Sequence, residues 1–139
     1  MVLSKILYRV VRFRRRKIKI RSFTFSAMIA DSFLKQALGL MHRSSMRSNE
    51  CMLFSFGRES RYGIWMLNMN FPIDIIWADS SGKVVDIMEN AVQCSGIMGC
   101  GTYNPSLPAK YVLEFNAGVA RRIGIKRGCI LPALRRRLN

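Results

Sequence analysis

Acidic side chains are scarce in this chain: eight Asp and Glu stand against 23 Lys and Arg, a formal net charge of +15 over 139 residues. Histidine is scarcer still, with His42 the single copy. Four cysteines, Cys51, Cys94, Cys100 and Cys129, contain no CxxC pair. Zinc sites draw on such pairs and on histidines, so neither a metal site nor a cofactor is expected. Long apolar runs are also lacking, which excludes a transmembrane helix of the roughly 20 apolar residues a bilayer needs. Lys5, Arg9 and Arg12 break the first apolar stretch before it reaches the length of a secretory signal core. The expectation is a cytoplasmic chain with reduced thiols, in which Cys94 and Cys100 are buried rather than a redox pair.

What is present is one domain's worth of apolar residues, half of the chain, with the excess charge at the ends. Residues 1–21 hold nine Lys or Arg and no acid, residues 22–133 hold eleven against all eight acids, and Arg135, Arg136 and Arg137 close the chain. This divides the sequence into a basic N-terminal extension (1–21), a nearly neutral body (22–133) and a basic C-terminal tail (134–139). Solvated protein faces mix both signs, whereas these ends do not, so a polyanionic partner is expected.

Apolar spacing places the elements. Leu3, Ile6, Leu7, Val10 and Val11 form one stripe of a helix over residues 2–13, with Lys5, Arg9 and Arg12 opposite. That stripe covers either the chain's own domain or a membrane surface. "KIKIRSFTF" alternates with period two and changes phase near Ser22, as one bulged strand would. Asp31 is placed to cap a helix that buries Phe33, Leu34, Ala37, Leu38 and Met41. Strands are expected at 52–56, 63–67, 73–78, 83–88 and 110–115, with "DSSG" (79–82) as a hairpin turn. Asn116 is placed to cap a helix ending at Gly124, and "IKRGCIL" reads as a turn and last strand. Residues 89–109, rich in Gly and Pro, form a long irregular loop. The whole is an α+β domain: a small mixed sheet or barrel with two or three short helices.

The segments "GLMHR" (39–43), "MLFSF" (52–56), "IWMLNMNFPIDIIWADSSGKVVDIMENA" (64–91), "TYNPSLPAKYVLEFNAG" (102–118) and "GIKRGCI" (124–130) resemble, in order, the family called domain of unknown function 192. The resemblance spans residues 28–130 and implies that family's compact, barrel-like α+β fold, but no particular reaction. Cys129 stands where the family commonly carries an acid after glycine, and the basic ends lie outside the family body.

No catalytic motif is complete, so an enzyme is not expected. A pocket lined by Trp65, Asn68, Asp74, Tyr103 and Glu114 is the alternative, since inward carboxylates in an apolar interior acquire raised pKa values. The basic ends carry the preferred reading. Arg9, Arg12, Arg14, Arg15, Arg16, Lys17, Lys19, Arg21, Arg121, Arg122, Lys126, Arg127, Arg135, Arg136 and Arg137 are the candidate phosphate contacts. No groove-reading motif is evident, which favours RNA over DNA and makes a ribosomal accessory role the expectation.

Overall fold

The computed structural model describes residues 2–94 and 96–136. The alternating stretch after the first basic cluster folds as two strands, not one. β1 (Arg14–Ile20) turns at residues 21–22 into antiparallel β2 (Phe23–Ala30), with Ile18 opposite Phe25 and Ile20 opposite Phe23. The phase change at Ser22 is therefore a two-residue hairpin loop, not a bulge. Such loops need a positive φ, and Arg21 takes it at 55°. Much of the basic N-terminal segment thereby enters the fold: Ile18 and Ile20 are buried while Lys17 and Lys19, which alternate with them, face solvent.

From β2 the chain crosses over through α2 (Phe33–Leu38) to β3 (Glu50–Ser60), which lies parallel to β2. Then come β4 (Ile64–Trp65), β5 (Ile73–Ala78), β6 (Val84–Ala91), β7 (Thr102–Tyr103), β8 (Ala109–Asn116) and α3 (Val119–Ile123). The main sheet runs β1-β2-β3-β8-β5-β6, and β4 pairs with β7 in a separate ribbon. β1 and β6 do not pair, so the sheet stays open and the expected barrel closure is absent. The α+β class stands.

Each face of the sheet has its own core. Ile18, Phe25, Leu53, Ile76, Leu113 and Phe115 pack under α3 and the C-terminal segment. Met28, Met52, Phe54, Ile75, Trp77 and Val112 pack beneath the segment after α2 and the β4–β7 ribbon. Several of the nine methionines fill this second core, where their unbranched chains suit an irregular roof.

Several local expectations change. Ser32, not Asp31, caps α2 by accepting from the Lys35 N–H, while Asp31 pairs with Arg14 and Lys35. A six-residue helix is too short to bury a full stripe, so Phe33 is left 88% exposed, and burial falls to Leu38, Leu40 and Met41. Asn116 does not cap α3; its amide donates to the Met46 carbonyl at 2.6 Å. The final segment makes a turn and a single bridge, Lys83 to Ile130, instead of a strand. A 3-10 turn (Pro132–Arg135) then buries Leu134. Cys94 and Cys100 are joined as a disulfide, because the intervening turn at Gly96 brings their Cα atoms to 5.2 Å. This corrects the reduced-thiol expectation for that pair; Cys51 and Cys129 are free.

The 79–82 hairpin forms as the turn chemistry predicts. Asp79 Oδ1 accepts from the Ser81 and Lys83 N–H groups, and Gly82 sits at φ 82°. A Cβ at Gly82 would also lie 2.7 Å from the Leu131 carbonyl oxygen. Gly82→Ala is therefore expected to destabilise the fold by about 1–3 kcal/mol, read as a lower thermal midpoint.

Candidate functional site

α1 (Val2–Val10) packs by one side only. Ser4 Oγ lies 2.8 Å from His42 Nε2, and the Tyr8 ring lies 6.3 Å from that imidazole. Burial, with Lys5 nearby, lowers the His42 pKa below its ordinary value. Val2, Leu3, Ile6 and Val10 remain more than half exposed, whereas Leu7 and Val11 are half-buried, so only part of the apolar stripe covers the domain and the rest faces outward.

The densest run of positive charge in the fold lies along β1 and the turn after it. Arg16, Lys17, Lys19 and Arg21 line a cleft of about 430 Å³ with Ile130, Pro132, Ala133 and Arg136. Lys17 and Lys19 have no ion-pair partner among the described residues. Arg14 and Arg15 are partly answered, by Asp31 at 3.2 Å and Glu50 at 3.3 Å. Arg12 and Arg15 line a second cleft with Arg43, Tyr8 and Phe13, and Arg9 is exposed on α1. Elsewhere positive groups also have partners. Arg121 pairs with Glu89 at 3.3 Å, Arg127 with Asp86, and Arg122 lies over the Phe23 ring. Lys126 and Arg135 are exposed, whereas Arg137 lies outside the described residues.

The five candidate pocket residues do not converge. Glu114 and Trp65 share one cleft of about 240 Å³, walled by Gln36, Leu40, Met41, Phe54, Ile64 and Met69. Tyr103 lines a neighbouring cleft with Cys94 and Met66. Asn68 occupies a turn at φ 59°, its carbonyl accepting from the His42 N–H and its amide reaching Met41 Sδ. Asp74 is on the opposite face of the sheet, because β5 sets it across from Phe115 while Ile75 pairs with Glu114. There Asp74 accepts from the Asn90, Gly118 and Ala120 N–H groups at 2.9 to 3.0 Å. It caps α3 from a neighbouring strand, which is structural work.

Glu114 has a different environment. It is 4% exposed and has no hydrogen-bond or ion-pair partner among the described residues, and burial pushes its pKa up to about 8. Asp86 shows the contrast: burial opposes its ionisation, but the Ser106 and Ile87 N–H groups and Arg127 outweigh it and lower the pKa. Sequence reasoning missed the walls contributed by Gln36, Met41 and Phe54, which no spacing connects to Glu114. No group of three His, Cys, Asp or Glu suited to a metal ion occurs among the described residues.

The sequence matches, over residues 16–132, the family described as Uncharacterized ACR, domain of unknown function 192. The chain belongs to this family. A UPF0127 protein of Thermococcus kodakarensis is 32% identical over 105 residues, covering 74% of this chain and 61% of that one. A second, from Pyrococcus horikoshii, is 32% identical over 68% of this chain and 76% of its own. This chain thus spans about three fifths of the length of the Thermococcus relative. Among solved structures, a chain from Sinorhizobium meliloti, carried as a candidate transcription regulator, superposes with a TM-score of 0.75 at 30% identity. That match covers 85% of this chain and 92% of the other. A protein of unknown function from Novosphingobium aromaticivorans gives a TM-score of 0.72 at 30% identity, covering 84% and 81%. The fold of this member of the domain of unknown function 192 family is therefore shared with solved relatives.

Proposed function

We propose that this chain is a non-catalytic RNA-binding accessory protein that associates with ribosomal particles through the β1 edge. One observation carries the reading: basic residues from opposite ends of the sequence, Arg16, Lys17, Lys19 and Arg21 with Arg136, line the same cleft with no acid among the described lining residues. A phosphate backbone answers such a surface, because each neutralised phosphate releases condensed counterions. The β1 strand spaces Lys17 and Lys19 along one face, which suits successive phosphates rather than base edges. Reversing both charges, Lys17→Glu with Lys19→Glu, is expected to weaken binding of a labelled ribosomal RNA fragment at least about tenfold at low salt and to flatten the salt dependence. Fluorescence anisotropy across a salt series measures both. Unchanged affinity and slope would remove the β1 edge from the interface.

A second reading rests on the exposed Leu3, Ile6 and Val10 of α1, beside Lys5 and Arg9, which suit an anionic membrane surface. No helix among the described residues is long and apolar enough to cross a membrane. Ile6→Asp distinguishes the two partners: loss of liposome co-sedimentation with RNA affinity retained would favour the membrane.

A further inference from the structure

The cleft over Glu114 shares no lining residue with the β1 edge and asks for a different ligand. Every other acid of the chain is engaged. Asp31, Glu50, Asp86 and Glu89 pair with Arg or Lys, Asp74 caps α3, Asp79 holds its turn, and Glu59 accepts from Ser80. Glu114 alone points an almost fully buried carboxyl into a cleft without a partner among the described residues. Buried carboxyls are normally paired, since transfer of the charge from water costs far more than an apolar wall returns.

The cleft presents acceptors and few donors. Gln36 spends its amide on the Ala30 and Ser55 carbonyls, at 3.2 and 3.0 Å, leaving its side-chain oxygen unspent. The Gly39 and Met41 N–H groups are spent on Lys35 and Leu38 carbonyls. Among the described residues no Lys or Arg lines the cleft, although the chain carries 23 of them. The remaining walls are aliphatic, from Leu38, Leu40 and Ile64, and aromatic or thioether, from Phe54, Trp65, Met41 and Met69, and the polarisable second set favours a cation. Trp65, 43% exposed, stands at the mouth.

We propose that this cleft binds a small organic ammonium ion, with Glu114 as counter-ion, Gln36 as second acceptor and Trp65 as an aromatic wall. The volume of about 240 Å³ limits the ligand to one smaller than the usual drug-sized occupant. On binding, the Glu114 carboxyl gives its proton to solvent and the carboxylate pairs with the ammonium group. Among the described residues no other titrating group lines the cleft. Lys35 of α2 pairs with Asp31, Arg43 beyond it approaches Glu50, His42 bonds Ser4, and Asp74 of β5 faces the other core. β3, β4 and β8 place no further charged side chain in the lining.

The test uses the whole chain and benzylammonium as probe, followed through the methionine methyl resonances. Saturable shifts are expected at Met41 and Met69, with affinity rising about tenfold per pH unit from pH 6 towards 8, as a site that must lose one proton requires. Glu114→Gln should abolish binding. Glutamine matches the neutral carboxyl in size, and an unchanged remainder of the spectrum verifies its fold. Trp65→Ala should weaken binding while keeping the pH trend. Absence of saturable shifts with both benzylammonium and tetramethylammonium overturns the proposal. So does equal or tighter binding of benzyl alcohol or benzoate, or retention of benzylammonium by Glu114→Gln.

Discussion

Asp74→Ala is expected to remove about 3–5 kcal/mol of folding stability, a large share of the 5–15 kcal/mol typical of a domain. Three elements meet at this carboxylate: β5 supplies it, Asn90 near the end of β6 donates to one oxygen, and Gly118 and Ala120 at the start of α3 donate to the other. Asp74 is fully buried, so deletion leaves those N–H groups without water to replace it. Gly118 at the helix start has no side chain that could take over. Asp74→Asn should fall between alanine and the native chain, since its carbonyl still accepts while its NH₂ opposes donors. Urea unfolding at fixed pH measures both. A loss below about 1 kcal/mol for alanine would show that α3 does not depend on this cap.

Glu114→Gln is expected to do the opposite at alkaline pH. The folded chain holds this proton up to about pH 8, whereas the unfolded chain releases it near 4.5. Between those values the native state binds more protons than the unfolded state, so native stability declines as pH rises through the window. The interval corresponds to a decline of up to about 5 kcal/mol, reduced by whatever relaxation lets water reach the carboxylate. Glutamine has no proton to lose. The variant should match the native chain near pH 5 and exceed it above pH 8, in thermal midpoints recorded from pH 5 to 9. Asp79 and Asp86, both with lowered pKa values, titrate on the acid side of this range and do not confuse it. Parallel profiles for the two proteins would mean that Glu114 is ionised and paired in the native state. That result would also remove the proton-release part of the ammonium proposal.

Legibility in the sequence followed the range of the physics. β5 over Ile73–Ala78 and the turn at Gly82 were readable because an apolar run and a positive-φ glycine are local signals. The β1–β2 hairpin was not, because Arg21 adopts its positive φ without the Gly or Asn that normally announces such a turn. The N-cap of α3 was misread for a related reason: the sequence offers Asn116 nearby, but the acceptor comes from Asp74, 44 residues away from Gly118.

The two inward carboxylates make the same point about the site. Asp74 and Glu114 each sit within an apolar strand, and nothing local distinguishes them. Pairing of β5 with β8 sets Asp74 beside Phe115 and Ile75 beside Glu114, which sends the two carboxyls to opposite cores. One meets the exposed N–H groups of a helix start and becomes a cap. The other meets methionines and aromatic rings and keeps its proton.

The sequence by itself determined the α+β class, the alternation that buries Ile18 and Ile20, the amphipathic first helix and the gathering of positive charge at both ends of the chain. These depend on side-chain chemistry and on spacing along a single element. Tertiary structure alone decided that Leu3, Ile6 and Val10 of α1 face outward, that Arg136 joins Lys17 and Lys19 at one sheet edge, and that Glu114 has no partner among the described residues. Those outcomes depend on which distant segment covers each face, and strand order and crossover geometry settle that through contacts no local pattern encodes.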